Sequence, residues 1–215
     1  MLRTEDQGGT AELVWGGRVG PRGGRTELAG PEPVLVEHHG AGSPRDEAER
    51  AWTCTWFDPP FRPEPPDTNQ AYAICFTDAG DIVLVDIGRP GEPYWNLPGG
   101  GVDPGETLED CVRREIREEA CAEVVDLEYI GCQLIDDPNA PEPPWLYYQS
   151  RFWARVELLP WEPLHEVRER RLVPADEFRS VLRWGHAATA GRILEFGLRA
   201  QNSDRLARVP APKPA

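Results

Sequence analysis

The chain has 215 residues and a formal net charge of −14, with 37 Asp and Glu against 23 Lys and Arg. That balance argues against a nucleic acid polymer or an anionic membrane as the main partner, and an anionic small molecule would need metal ions to supply positive charge. A 40% apolar content with eight Trp suits one folded domain with appendages.

Cys54, Cys75, Cys111, Cys121 and Cys132 lie far apart with no C-x-x-C pair. No stretch reads as a signal peptide or as an 18-residue apolar span. The expectation is a soluble cytoplasmic protein with free thiols.

In chain order, residues 1–48 are rich in Gly, Glu and Arg and read as a flexible or partly ordered segment, with edge strands open as a reading at 12–15 and 33–37. A short helix is expected at 46–52, and the proline-rich run 57–67 reads as a loop entering a domain that extends over 49–202. From Gln70, QAYAICFT, a turn at Asp78-Ala79-Gly80 and DIVLVDIG predict a β-hairpin. A short strand at 94–97 then leads into Pro98 and three glycines. Thr107 as N-cap, with Asp110 three residues on, opens a predicted helix over 107–120. Beyond it, 124–135 and 145–158 are β-rich and flank a proline-rich loop. Residues 186–200 read as a helix packed on the sheet, where His186 reads as a capping or packing residue. Residues 203–215 read as a tail.

The segment 98–122, PGGGVDPGETLEDCVRREIREEACA, organises the rest. On a helix, Glu115, Glu118 and Glu119 share one face, while Leu108, Val112, Ile116 and Ala120 form an apolar stripe on another. Like carboxylates at this spacing repel, at a cost of a few tenths of a kcal/mol per pair. A divalent cation removes that cost, and Mg²⁺ and Mn²⁺ prefer oxygen ligands and bridge carboxylates to phosphates. A solvated Glu/Arg face is the competing reading of RREIREE alone. The glycines before the helix tip the balance, because they let backbone approach a ligand closely.

From Gly100, five residues lead to Glu106, and seven more lead to Arg114-Glu115, then Ile116, Arg117 and Glu118-Glu119. This resembles the Nudix box G-x5-E-x7-R-E-U-x-E-E-x-G-U, where U is bulky and apolar. Cys121 replaces the late glycine and Ala122 the last bulky residue, departures that bear on the helix exit rather than on the chemistry. The chain is therefore similar to Nudix hydrolases, and the hairpin before the box extends the likeness.

The resemblance implies an α/β fold, an α/β/α sandwich around a mixed sheet, and hydrolysis of a nucleoside diphosphate linked to another moiety, with Mg²⁺ as cofactor and Mn²⁺ able to substitute. It implies Glu115 and Glu119 as metal ligands, Glu118 as ligand or base, a Gly99 or Gly100 carbonyl in the metal shell, and an Arg114–Glu106 ion pair orienting the glutamates. Arg89 would face the substrate as an anion partner. Trp95 stays open between a substrate wall and core packing. Residues 165–178 resemble the family's passage from a strand into a helix, where Glu166 or Glu169 would add a carboxylate, and Pro138 falls where the family places a proline associated with ADP-ribose-type substrates. The partner is a small nucleoside diphosphate derivative, and a homodimer is left open. A nucleotide-binding regulator without turnover is the alternative.

Overall fold

The computed structural model describes residues 32–39, 52–65, 67–88, 91–137, 146–164 and 167–208. Among them lie β1 (Leu35–His39), β2 (Trp52–Phe57), β3 (Thr68–Phe76), β4 (Ile82–Asp86), β5 (Trp95–Asn96), β6 (Gly99–Gly101), α1 (Leu108–Ala120), β7 (Ala122–Asp136), β8 (Leu146–Leu158), β9 (Glu169–Val173), α2 (Phe178–Val181) and α3 (Ala188–Ala207). The strands form one sheet in the order β1-β2-β7-β8-β3-β4-β5, with β6 also paired to β3 and β9 to β4. Among the described strands β3 and β8 run parallel and the other pairs antiparallel, so the sheet is mixed.

Side chains alternate across the sheet and split the core in two. Ala71, Ala73, Cys75, Phe152 and Ala154 meet the buried stripe of α1, Leu108, Val112, Ile116 and Ala120. Ile74, Phe76, Leu84 and Trp153 face α3 and α2 through Ala190, Ile193 and Phe178. The architecture is thus the expected α/β/α sandwich. Burial of Leu108, Val112 and Ile116 stabilises α1 on the sheet by roughly 1.5–3 kcal/mol each. Thr107 caps the helix as its spacing predicts: its Oγ1 accepts from the Asp110 N–H at 3.1 Å and donates to Asp110 Oδ2 at 2.6 Å.

Three local features differ from the sequence expectation, and one open reading is decided. Trp52 belongs to β2, not to a helix, and 46–51 lie outside the described residues. The edge strand left open at 33–37 is present as β1, which spans Leu35–His39 and pairs antiparallel with β2. Helix α3 continues to Ala207, past the boundary expected at 202. His186 is exposed and does not cap α3. The N–H groups of Ala188 and Thr189 donate instead to the Glu37 carboxylate of β1, an acidic group where the helix dipole favours one.

The exit of α1 carries its own support. Cys121 holds a left-handed conformation, φ 45° and ψ 56°, which costs an L-residue roughly 1–2 kcal/mol. Arg170 of β9 compensates by donating through Nη1 to the carbonyls of Ala120 at 2.7 Å and Cys121 at 2.8 Å. These are among the last carbonyls of the helix, which lack intrahelical donors. Arg170→Ala is expected to lower stability by about 1–3 kcal/mol, measured as a shift in urea midpoint at unchanged m-value. A change below the error of the measurement would remove Arg170 as the support of this turn.

Candidate active site

The site begins with a close approach. β6 pairs with β3 through Gly99↔Tyr72, Gly100↔Ala71 and Gly101↔Gln70, which fixes the glycine backbone beside the carboxylate face of α1. Gly99 sits at φ 144°, and a Cβ there would lie 2.4 Å from the Ala71 carbonyl oxygen. At Gly100 a Cβ would lie 2.5 Å from Glu115 Oε1. Glycine is therefore required at Gly99 by space and by backbone conformation, whereas at Gly100 a side chain would have to displace the Glu115 carboxylate.

Arg114 ties the charges together. Its Nε and Nη2 donate to the two oxygens of Glu106 at 2.9 and 3.0 Å, and Nη2 also reaches the Gly101 carbonyl at 2.9 Å. Its Nη1 donates to Glu115 Oε1 at 2.8 Å and Glu118 Oε2 at 3.3 Å. Glu106 in turn accepts from the Asp103 N–H at 3.0 Å. The two-pronged contact with Arg114 holds the Glu106 carboxyl below its ordinary range, and the same contact raises the arginine.

Glu119 behaves in the opposite way. One of its oxygens accepts from the Gly99 N–H at 3.0 Å, yet burial pushes its pKa up to about 7, with Glu115 and Glu118 adding to the rise. Burial also raises Glu115, outweighing its contact with Arg114. Two carboxyls on one helix face are thus held in environments that disfavour their charge. As placed, the carboxylates do not close on a common point: Glu115 and Glu118 turn toward Arg114, Glu119 toward Gly99, and no group of three His, Cys, Asp or Glu side chains among the described residues is drawn together tightly enough to chelate.

The remaining expected residues separate. Trp95 is half-buried and packs with the apolar cluster on the α3 side, with the Arg171 guanidinium 5.8 Å from its ring centroid. Glu169 is exposed at the start of β9, next in sequence to Arg170, which reaches the α1 exit, so strand alternation sends Glu169 to the other face. Arg89, Glu166 and Pro138 lie outside the described residues.

One polar group that sequence reasoning missed lies two strands from the glycines. Arg151 of β8 pairs with Tyr72, is 4% exposed, and stands 4.5 Å from the centroid of the Tyr72 ring. Gln133, Gln149 and Gln70 surround it. The signal was an arginine at an inward-facing position between Tyr148 and Trp153, inside an otherwise core-forming strand.

The sequence model of the NUDIX domain matches residues 67–195, so the chain belongs to the NUDIX family, as the box implies. It is 31% identical over 123 residues to the NAD-capped RNA hydrolase NudC of Pseudomonas fluorescens, a match covering 55% of this chain and 43% of that relative. It is 46% identical over 52 residues to a Bacillus subtilis protein provisionally assigned as an 8-oxo-dGTP diphosphatase, covering 24% and 34% respectively. The chain thus spans less than half the length of these curated relatives. Among solved structures, the Bacillus subtilis pyrophosphohydrolase BsRppH shares the fold, with a TM-score of 0.55 at 17% identity over 76% of this chain and 97% of that one. Nudix hydrolases generally use divalent metal ions.

Proposed function

We propose that this protein hydrolyses a pyrophosphate bond in a nucleoside diphosphate linked to another moiety, with Mg²⁺ or Mn²⁺ as cofactor. The observation that carries the reading is the placing of the α1 carboxylates beside the glycine backbone of β6: Glu119 accepts from the Gly99 N–H, and Arg114 links Glu115 and Glu118 to the Gly101 carbonyl. The donor set fits such an ion: every group is an oxygen, the choice of a hard divalent cation, and the raised Glu119 and Glu115 carboxyls would be relieved by added positive charge.

In this reading Glu115 and Glu119 hold the cation, with the Gly100 carbonyl beside them. Bound there, a divalent ion supplies charge neutralisation at the pyrophosphate and acidifies water near neutral pH. Glu118 serves as a further ligand or takes the proton from the attacking water. Arg114 and Glu106 fix the orientation of the glutamates, the part that outer partners play around metal ligands. Arg89 pairs with substrate phosphate, and of the two further acidic candidates Glu166 is the one that adds a carboxylate, since Glu169 lies on the other face of β9 from Arg170. Trp95 packs in the core on the α3 side, which favours the packing role over that of a substrate wall.

The substrate candidates share the pyrophosphate: a nucleotide sugar such as ADP-ribose, a nucleoside triphosphate, or a dinucleoside polyphosphate. The test is a panel of these compounds with product identification, with Mg²⁺, with Mn²⁺ and with EDTA. Turnover of at least one compound that EDTA abolishes and added Mg²⁺ restores is the expected result. Turnover that persists at excess chelator would overturn the metal-dependent reading, and nucleotide binding with no turnover of any compound would favour a regulator.

A further inference from the structure

Glu118 and Glu119 stand on the last turn of α1, and that turn is held from outside the helix. The last four carbonyls of a helix have no intrahelical donor. Here the Glu118 carbonyl accepts from the Leu164 N–H at 3.4 Å, and the Cys121 carbonyl, one residue past the helix, accepts from the Leu159 N–H at 2.8 Å. Arg170 closes the arrangement. Its Nη1 donates to the carbonyls of Ala120 and Cys121, and its Nη2 donates to the Leu159 carbonyl at 3.2 Å. The guanidinium also stands 5.3 Å from the centroid of the Trp161 ring, and Trp161 packs against the apolar cluster beneath α1. The connection from β8 to β9 therefore clasps the end of the helix, with one arginine of β9 bonded to both.

The turn needs the clasp because it is strained. Cys121 is left-handed without being glycine, which works against closing the turn, and helix ends open more readily than helix centres. Glu119 lies two residues before Cys121, and its carboxylate meets the Gly99 N–H with the turn closed. We propose that Arg170 is a positioning residue for the metal centre: it holds the last turn of α1 closed over Cys121, so that Glu118 and Glu119 stand ready at the glycine backbone of β6 before a divalent cation binds. This rests on the reading of Glu115, Glu118 and Glu119 as the seat of the cation.

The consequence is a change in metal affinity of a sign that charge alone does not give. Removing a positive arginine would by itself tighten the binding of a cation. Opening the turn weakens it, because apparent affinity falls with the fraction of molecules in the binding conformation, and a turn open in about nine molecules of ten costs about tenfold.

The test is calorimetric titration of Mn²⁺ into the full chain and into Arg170→Met, without substrate and well below the melting temperature of either. Methionine keeps an apolar stem against Trp161 and has no N–H to donate. The variant is expected to bind Mn²⁺ about tenfold more weakly, the lower end of what outer partners of metal ligands contribute. In a Cys121→Gly background the same substitution is expected to cost less than about threefold, because glycine takes the left-handed conformation without steric cost and the turn stays closed. Hydrogen exchange of the metal-free proteins gives a second readout. The amides of Glu118, Glu119 and Ala120 should lose protection in Arg170→Met while those from Val112 to Ile116 keep theirs. Where Arg170→Met fails to fold, Arg170→Lys carries both measurements, since it keeps the charge but not the fork that spans three carbonyls; it too should bind Mn²⁺ more weakly. Unchanged or tighter Mn²⁺ binding, an equal loss in both backgrounds, or retained protection of the last turn would each overturn the inference. A parent that binds no Mn²⁺ would overturn the metal reading and this inference with it, so the parent's own titration tells the two failures apart.

Discussion

Replacing Glu119 by glutamine is expected to cut metal-dependent turnover by more than about 100-fold, beyond the range seen when only an outer partner of a metal ligand is lost, while raising the stability of the metal-free protein at pH 8. The two effects share one cause. The Glu119 carboxyl is buried beside Glu115 and Glu118, and its pKa is raised to about 7. A group whose pKa is higher in the folded state binds protons more tightly there. Its contribution to stability is full below the unfolded value and is lost as the pH rises through about 7. By pH 8 the metal-free parent therefore carries a penalty of at most about 3 kcal/mol from this position. Glutamine keeps an oxygen for the Gly99 N–H and carries no charge, so the penalty disappears. The gain in melting temperature that Mg²⁺ gives the parent should be large at pH 8, small at pH 5, and nearly absent in Glu119→Gln at either pH. Turnover of the variant close to that of the parent at saturating metal would remove Glu119 from the ligand set.

Much of this was legible because it is local. Thr107, Asp110 and the stripe from Leu108 to Ala120 specify α1 within fourteen residues, and the hairpin of β3 and β4 follows from alternation around one turn. The likeness to the Nudix box implies the Glu106–Arg114 ion pair, and the two side chains do meet. What stayed hidden depends on partners distant in sequence. The cap of α3 comes from Glu37, 151 residues before Ala188, and no local pattern announces it. The support of the α1 exit comes from Arg170, 50 residues past Ala120, which answers why a cysteine stands where a glycine would do. β2 is a further case: Cys54 to Phe57 become buried only once β7 pairs with them. Arg151 was legible in principle, since a charge at an inward position of a buried strand breaks the pattern of its neighbours. Its surroundings were not, because the three glutamines around it come from three strands.

Arg114→Ala should lower activity for a reason opposite in sign to that at Glu119. Its guanidinium, 29% exposed, is the positive charge shared by Glu106, Glu115 and Glu118. Removing one partner of a fully buried ion pair costs about 3–5 kcal/mol, and partial exposure here reduces the expected loss to about 2–3 kcal/mol without metal. The loss should be greatest at neutral pH. Glu106 has its pKa lowered by Arg114, so the stability this pair contributes is present above the ordinary carboxylate range and is lost as the pH falls through the depressed value; parent and variant should therefore converge in acid. Turnover is expected to fall about 10–100-fold, the usual effect of losing an outer partner that orients metal ligands. The response to Mg²⁺ separates the two variants. In Arg114→Ala the glutamates have lost their counter-charge, so a divalent cation should stabilise the variant more than the parent, whereas in Glu119→Gln it should stabilise the variant less. A smaller Mg²⁺-induced shift in Arg114→Ala would mean that the guanidinium does not hold the glutamates' charge in place of the ion, and that its contacts with Glu115 and Glu118 are incidental to the metal site.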